Sequence, residues 1–495
     1  MAAKHPPQAV IPNSRAKTTP AADASPVPPR LRVIHFFYRH SSTLNHFLRG
    51  RMRGPGIACG IIIINSALFI LGNPRTPLIQ IFALAGTASL VTLILAFLRR
   101  SHLLALRSPP RHATAGETTR YPVKIENLGK RRLRHAWLAE SPPDPRPPLA
   151  DFARTPEPGE SERNAFDRFF LYYRWRWLLE RRRAFDGGES TASVSIDPGQ
   201  TVTAWISLTP KRRGVVALDD LRVLLPDPLG FFQRRRWVAA PPATLTVLPR
   251  RYRLPAIDIP GAPRFQIGGE TTSQTVGASD EFIGLRDYRP GDPLRLIHWR
   301  SWARTGRPIV RELEDTFFPR HGLVLDTFPP AGHDLGFEEA ISVAASFAST
   351  VDGSECLLDL MFVHGKAHTF TAGRGIARAE KMLEVLAGAE ADPNAQNGFE
   401  TLVRLVVSHR DDLGSCLCVL VGWDEPRAEF IRQLSRGGIR PILLVVTQTL
   451  GQTASAIDEN PPQAPHLLLD AHHVQRDLAG LPRLMNNAQY AAAPQ

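Results

Sequence analysis

The residues best suited to chemistry lie between Glu281 and Glu314, in the stretch EFIGLRDYRPGDPLRLIHWRSWARTGRPIVRELE, which holds seven arginines and two tryptophans. Planar guanidinium groups can bind a phosphate, a carboxylate or an acidic loop of a partner through paired hydrogen bonds. Residues 281–315 also carry six acidic residues, so the segment is almost neutral. That balance favours the alternative, an internal ion-pair network that includes Arg286, Arg295 and Arg304.

Local signals indicate how the chain positions these side chains. Pro290-Gly291 interrupts any preceding element, and Asp292 suits the N-cap of a helix. Apolar residues then recur at spacings of three and four until Thr305-Gly306, as they do on one face of a helix. Residues 308–314 alternate between apolar and charged types. The pattern therefore predicts a loop, a short helix and a half-buried strand.

The same stretch resembles the signature of a bacterial family called domain of unknown function 58. The matching residues are Phe282, Leu285, Arg286, Tyr288, Pro290, Gly291, Asp292, Arg295, Ile297, Trp299, Ala303 and Arg304. Three further motifs also fit, namely RRG at 212–214, DPLGFF at 227–232 and VLPR at 247–250. The resemblance implies a partnership with a MoxR-type AAA+ ATPase and a von Willebrand factor A-like domain as the docking module. We therefore expect a non-enzymatic, membrane-anchored assembly factor.

The formal net charge of +13 first suggests a nucleic-acid partner. The distribution of that charge argues against a nucleic-acid partner. The stretch from Arg30 to Arg111 has eleven Arg and no Lys, Asp or Glu, so it accounts for +11 of the +13. The same stretch contains the apolar runs 54–72 and 77–98, and each reaches the roughly 20 residues that cross a bilayer as a helix. We therefore assign the basic excess to membrane topology and expect no nucleic-acid partner.

The two apolar runs predict a transmembrane helical hairpin over 54–98. Arginines flank its outer ends at positions 49, 51, 53, 99, 100 and 107, while the intervening turn carries only Arg75. By the positive-inside rule, both chain ends then face the cytoplasm. The expected location is the inner membrane of a bacterial cell, with two spans and most of the chain cytoplasmic. Two buried helices of a soluble protein are the alternative.

The remaining composition predicts an α+β multidomain membrane protein. Its expected parts are a disordered tail (1–30), a juxtamembrane segment (31–53), a small β-sandwich (112–250) with a helical insertion (141–188), the signature segment (251–315), an α/β (Rossmann-like) domain (316–475) and a flexible tail (476–495). The family resemblance implies that the α/β domain is von Willebrand factor A-like. Within the insertion, 165–183 is rich in aromatic residues and arginine. As one helix it fits either an anionic membrane surface or the face of the sandwich.

Two carboxylates are the weak candidates for a metal site. An adhesion-type metal site in a von Willebrand factor A-like domain needs Asp-x-Ser-x-Ser, whose hard oxygens suit Mg²⁺. Here Asp326 is followed by Phe328 and Pro330 at the serine positions, and Asp424 follows a later strand. We therefore expect no metal. The rival function is a receptor or enzyme that combines the signature arginines with Asp326 and Asp424.

Other catalytic templates are absent from the sequence. It contains no phosphate-binding GxxxxGK[ST] loop, HExxH or GxSxG motif. The four cysteines, Cys59, Cys356, Cys416 and Cys418, lack metal-binding spacing and fit reduced cytosolic thiols. The sequence thus predicts neither a catalytic residue nor a cofactor.

Overall fold

A computed structural model describes residues 27–72, 77–98, 102–227, 229–255, 281–292, 294–314, 320–330, 332–350, 357–372, 376–392 and 395–490. Most of the expected disordered tail, the turn between the apolar runs and Cys356 lie outside these residues. The fold is α+β and divides into two compact units. The first contains 1–99, 144–183 and 226–235, and the second contains 100–143, 184–225 and 236–495.

Three long helices begin the first unit: α1 (Pro29–Arg51), α2 (Gly54–Gly72) and α3 (Leu78–Leu98). Among the described helices, α2 and α3 are long and apolar enough to cross a membrane. They contact each other near the thiol of Cys59, which lies 3.4 Å from the Ser89 Oγ. Most of their other apolar side chains are exposed. These exposed faces fit lipid-facing helices better than the core of a soluble protein.

The DPLGFF motif forms a turn at the junction of α1 and α2. The Asp227 carboxylate accepts hydrogen bonds from the backbone N–H groups of Phe231 at 3.1 Å and Phe232 at 2.7 Å. The Phe231 carbonyl in turn accepts from the Arg53 N–H at 3.0 Å. A Cβ atom at Gly56 would collide with that carbonyl oxygen, so glycine permits the close approach. The turn therefore holds the point where the chain enters its first apolar helix.

The insertion forms three short helices, α4 (Leu149–Arg154), α5 (Ala165–Phe170) and α6 (Tyr172–Arg182). The expectation of one helix over 165–183 is wrong, because Leu171 adopts a left-handed conformation with φ of 55° and ends α5. The Leu171 side chain is buried with Phe152 and Trp175, and this burial offsets the backbone strain. The same cluster packs against apolar side chains of α1. Within the first unit, the partner of the insertion is thus the juxtamembrane helix.

Eleven strands precede the signature segment, and all of their residues except Pro226 and 233–235 belong to the second unit. They are β1 (Leu103–Arg107), β2 (His112–Thr114), β3 (Thr119–Asn127), β4 (Leu133–Glu140), β5 (Phe185–Ser190), β6 (Val194–Ile196), β7 (Thr201–Pro210), β8 (Gly214–Leu218), β9 (Leu221–Pro226), β10 (Gln233–Trp237) and β11 (Ala243–Leu248). One sheet has the order β1-β3-β7-β5-β4-β9-β10, with β6 beside β4, and a smaller sheet has the order β2-β11-β8. Alternating residues such as Tyr121, Val123 and Ile125 are buried in a core that both sheets share.

The signature segment is a β-hairpin with a helix inserted between its strands. Strands β12 (Glu281–Asp287) and β13 (Ile309–Glu314) pair antiparallel, and α7 (Trp299–Thr305) lies between them in the chain. A 3₁₀ turn at Leu294–Leu296 precedes α7. The helix therefore begins seven residues after Asp292, and that residue is not its N-cap.

An α/β domain completes the chain. Its strands are β14 (Arg320–Leu325), β15 (Leu357–His364), β16 (Lys366–Ala372), β17 (Ser415–Val421), β18 (Pro441–Thr447) and β19 (His466–Asp470). Its helices are α8 (Asp334–Thr350), α9 (Ile376–Ala387), α10 (Ala395–Ser408), α11 (Glu425–Arg436), α12 (Leu450–Glu459), α13 (Val474–Asp477) and α14 (Leu481–Tyr490). The sheet order is β16-β15-β14-β17-β18-β19, and every pairing is parallel except that of β16. Apolar cores cover both faces, as the continuous apolar strands predict.

The chain end corrects the expectation of a flexible tail over 476–495. Residues 481–490 form α14, and Leu481, Leu484 and Met485 are buried in one core of the α/β domain. Their spacing of three and four residues places them on one helical face. Within the predicted tail, residues 491–495 are the ones that lie outside the described residues.

The RRG and VLPR motifs explain why the β sheets and the α/β domain form one compact unit. The buried guanidinium of Arg213 contacts Glu338 and the backbone carbonyls of Leu386 and Ala389. Leu248 lies in the α/β core beside helix α8 residues. These two motifs therefore join the β sheets to the α/β domain.

Candidate functional site

One ion pair fastens the loop of the signature hairpin. The Arg286 guanidinium donates two hydrogen bonds to the Asp292 carboxylate, each 2.7 Å long, and the Arg289 N–H donates a third at 2.8 Å. The hydrogen bonds from Arg286 are the main cause that lowers the pKa of Asp292 to about 2. Between them, Gly291 has φ of 110°, a conformation that other residues rarely adopt. Here the structure agrees with the internal role expected of Arg286.

The other signature arginines differ from that expectation. Their side chains are exposed, and within the described residues none has an ion-pair partner. They are Arg289, Arg295, Arg300, Arg304, Arg307 and Arg311. Among the described residues, the structure therefore shows no internal network around Arg295 and Arg304. Asp292, one of the six acidic residues of the segment, pairs with Arg286.

Two tryptophans lie beside these arginines in α7. The Trp299 side chain is 64% exposed, and its ring stacks on Trp302 with centroids 5.2 Å apart and an interplanar angle of 18°. Leu294 is exposed on the preceding turn. We call the six exposed arginines together with Trp299 and Leu294 the arginine–tryptophan surface.

The remaining signature residues support the hairpin. Ile297 is buried and bridges to Val310 of β13, while the Tyr288 N–H donates to the Pro308 carbonyl at 3.0 Å. Ala303 is exposed on α7, and Phe282 pairs through its backbone with Leu313. The signature therefore combines residues that stabilise the hairpin with residues whose side chains are exposed on its surface.

Asp326 and Asp424 do converge, as the sequence predicted, but they converge on Arg427. The Arg427 guanidinium donates to Asp326 Oδ2 at 2.8 Å and to Asp424 Oδ2 at 2.6 Å, and also to the Phe328 carbonyl at 2.7 Å. Asp326 is fully buried, and Arg427 is only 2% exposed. Burial alone would lower the pKa of Arg427, but the two carboxylates outweigh it and raise that pKa.

Backbone groups complete this site at the carboxyl ends of β14 and β17. The Asp326 carboxylate accepts from the N–H of Phe328 at 2.8 Å and from the N–H of Val421 at 3.0 Å. The Phe328 ring is buried against Phe399, with centroids 4.9 Å apart. Sequence reasoning missed Arg427, although its place three residues after Asp424, in the first turn of a helix, was a usable signal.

The arrangement does not suit a metal ion. A guanidinium already occupies the space between the two carboxylates and forms an ion pair with each of them. The described residues contain no group of three or more His, Cys, Asp and Glu that could hold a metal. The chemistry of this site is that of an internal ion pair.

We therefore expect titration calorimetry with Mg²⁺ or Mn²⁺ to detect no binding tighter than roughly millimolar, because too few hard oxygens remain free. Asp326→Ala serves as the control for any heat that is seen. A micromolar signal that disappears in this variant would contradict the assignment.

Comparison with known proteins identifies the region around the hairpin. Residues 284–410 match the model of a family described as "Protein of unknown function DUF58". The chain is similar to the Bacillus subtilis (strain 168) protein "Uncharacterized protein YeaD", with 25% identity over 219 residues. That match covers 43% of this chain and 53% of the relative, so the chain spans about half of the relative's length.

Solved structures offer only distant likeness. The CARDB domain of PF1109 from Pyrococcus furiosus is 12% identical, and the match covers 30% of this chain and 97% of that domain, with a TM-score of 0.16. A GH20 exo β-N-acetylglucosaminidase from Vibrio harveyi is 8% identical over 70% of this chain and 57% of its own, with a TM-score of 0.14.

Proposed function

Given that the chain belongs to the DUF58 family, as its residues 284–410 and its similarity to YeaD support, we propose that it is a membrane-anchored protein-interaction factor. In this proposal the arginine–tryptophan surface binds an acidic surface of a partner protein. The partner is a MoxR-type AAA+ ATPase, as the family resemblance of the signature implies. The protein would then act as an assembly factor beside the membrane.

The chief support is the exposure of the signature arginines without ion-pair partners in the described part of the chain. Arginine and tryptophan are the residue types most enriched among side chains that dominate binding energy at protein interfaces. Because no ion-pair partner of Arg295 or Arg304 lies among the described residues, carboxylates of a partner protein would displace no ion pair seen there. The stacked pair of Trp299 and Trp302 adds a rigid apolar area at the same place.

We also propose that the α/β domain is von Willebrand factor A-like and acts as a docking module. Its parallel sheet, helices on both faces and an aspartate after a central strand support this assignment. The buried Arg427 between Asp326 and Asp424 then stands where such a domain would use a cation. Docking in this protein would accordingly proceed without a metal ion.

The decisive experiment is affinity purification of the full chain from detergent-solubilised membranes, with and without ATP, followed by detection of the MoxR-type ATPase. We expect the ATPase to copurify with the natural chain. Arg295→Glu combined with Arg304→Glu should remove most of it, because each change replaces attraction to an acidic surface with repulsion. The melting curve should shift by no more than about a degree or two, since surface changes away from packed or paired groups alter stability little.

A matched control uses Arg120→Glu with Arg134→Glu, two exposed arginines of the β sheets. This variant has the same change in net charge and should retain the ATPase. Equal loss of the ATPase from both variants would show that net charge alone explains the effect. Retention of the ATPase by both variants would show that the arginine–tryptophan surface does not bind it.

For the location, we propose the inner membrane with both chain ends in the cytoplasm. The arginines that flank the two apolar helices support this orientation. A reporter active in the cytosol should therefore work when fused after Gln495, and one active in the periplasm should work when inserted at Asn73. An inactive fusion at Gln495 with an active periplasmic reporter at the same place would reverse the orientation.

A further inference from the structure

The long helix α1 has two opposite apolar faces. One face, with Leu31, Ile34 and Tyr38, packs against the buried cluster of α4 and α6. The other face is exposed and consists of Val33, Phe36, Phe37, Leu44, Phe47 and Leu48. Spacings of three, four and seven residues place these six side chains on one stripe about 22 Å long, given 1.5 Å per residue from Val33 to Leu48.

The insertion displays a second group of exposed aromatic side chains. They are Phe166, Phe169, Phe170, Tyr172 and Tyr173, in α5 and the start of α6. Contacts within the unit fasten α5 to α1, because the Arg30 guanidinium lies 4.1 Å from the centre of the Phe169 ring and the Tyr38 hydroxyl donates to the Phe170 carbonyl at 3.0 Å.

Charge and chain continuity indicate what covers these side chains. Residues 27–53 contain six arginines and no acidic residue. Only Met52 and Arg53 separate the end of α1 from the start of α2, so α1 ends close to the point where the chain would enter the bilayer. The DPLGFF turn fixes that junction through the Arg53 N–H and Gly56. Aromatic rings beside arginines, next to a membrane span, are typical of segments that lie among lipid headgroups.

We propose that α1 and the α5–α6 insertion form a collar that lies in the headgroup layer and binds anionic phospholipids. The apolar stripe of α1 enters the upper acyl region, and the arginines contact lipid phosphates. This inference rests on α2 and α3 spanning the membrane. It does not involve the ATPase, so its failure and the failure of the proposed function are distinguishable.

The test places an environment-sensitive fluorophore on the full chain in lipid vesicles. Phe37→Cys carries the label on the stripe, and Arg39→Cys is the matched position off the stripe on the same helix. Cys356 is removed from both variants so that the label cannot react with it. The other native cysteines, Cys59, Cys416 and Cys418, are buried. Two quenchers are compared, namely a lipid-borne nitroxide and aqueous iodide. The vesicles contain phosphatidylcholine with about one quarter phosphatidylglycerol, a composition that supplies the negative surface potential.

The label at Phe37 should be quenched by the lipid nitroxide about twofold or more relative to the label at Arg39, because the stripe is buried in the acyl boundary. Iodide should show the reverse order. In vesicles without phosphatidylglycerol, the difference in quenching between the labels at positions 37 and 39 should be smaller. A label at Phe166→Cys repeats the test on the insertion should Phe37→Cys fail to fold.

Three results would overturn the proposal. Equal quenching of the labels at positions 37 and 39 would show that the apolar stripe of α1 is not inserted into the lipid. Protection of position 37 from both quenchers, with self-quenching between chains, would identify a second copy of the protein as the cover. The same difference in quenching between the two positions in vesicles without phosphatidylglycerol would show that anionic lipid is not required.

Discussion

Arg427→Met is expected to lower the free energy of unfolding of the α/β domain by about 3–5 kcal/mol, the usual effect of removing one member of a buried ion pair. The change leaves the fully buried Asp326 carboxylate without its guanidinium partner, although two backbone N–H groups still bind it. It also leaves the Phe328 carbonyl without its donor from Arg427. Since a domain is typically stable by only about 5–15 kcal/mol, a large share of that stability is at risk.

Urea denaturation monitored on the full chain in detergent measures this change. The matched control is Arg432→Met on the same helix, where the arginine is partly exposed and pairs with Glu425 and Glu429. That control should lose at most about 1 kcal/mol, because solvent screens exposed pairs. Combining Arg427→Met with Asp326→Asn should recover part of the loss. A single variant as stable as the natural chain would show that Asp326 is neutral or solvated.

Glu140→Leu should destabilise the β sheets by a comparable amount, about 3–5 kcal/mol. The Arg107 Nε lies 2.9 Å from the Glu140 carboxylate, and the two side chains are 1% and 0% exposed. Without Glu140, the guanidinium stays buried with a carbonyl of Pro241 as its remaining acceptor. The Tyr121 hydroxyl also loses its contact with Glu140, at 3.4 Å.

The double variant Glu140→Leu with Arg107→Met separates charge from packing. Replacing a whole buried pair with apolar residues of similar volume is often neutral, so this variant should be more stable than Glu140→Leu alone. Asp197→Ala, which breaks the exposed pair with Arg132, should change stability by less than about 1 kcal/mol. If the single and double variants unfold at the same urea concentration, packing rather than stranded charge accounts for the loss.

Much of the fold could be predicted because its signals are local. The apolar run 54–72 is the whole of α2, and α3 covers 78–98 within the predicted run. Alternation identified strands such as β3, and continuous apolar runs identified β17 and β18. Each of these elements is specified by the pattern of apolar residues along its own length.

The candidate site was harder to predict because its chemistry depends on distant pairing. A count of acids and arginines in the signature segment suggested mutual neutralisation, but exposure depends on which side of the hairpin each side chain occupies. Arg427 pairs with Asp326, 101 residues away in sequence, and no local pattern reveals that contact. The break at Leu171 likewise depends on burial among residues of other helices.

The guanidinium between Asp326 and Asp424 differs from a bound ion in one practical respect. A metal ion leaves its ligands when its concentration falls or when a chelator competes, whereas Arg427 is part of the chain and has no dissociation constant of its own. This edge of the sheet therefore keeps one charge state over any range of magnesium or calcium.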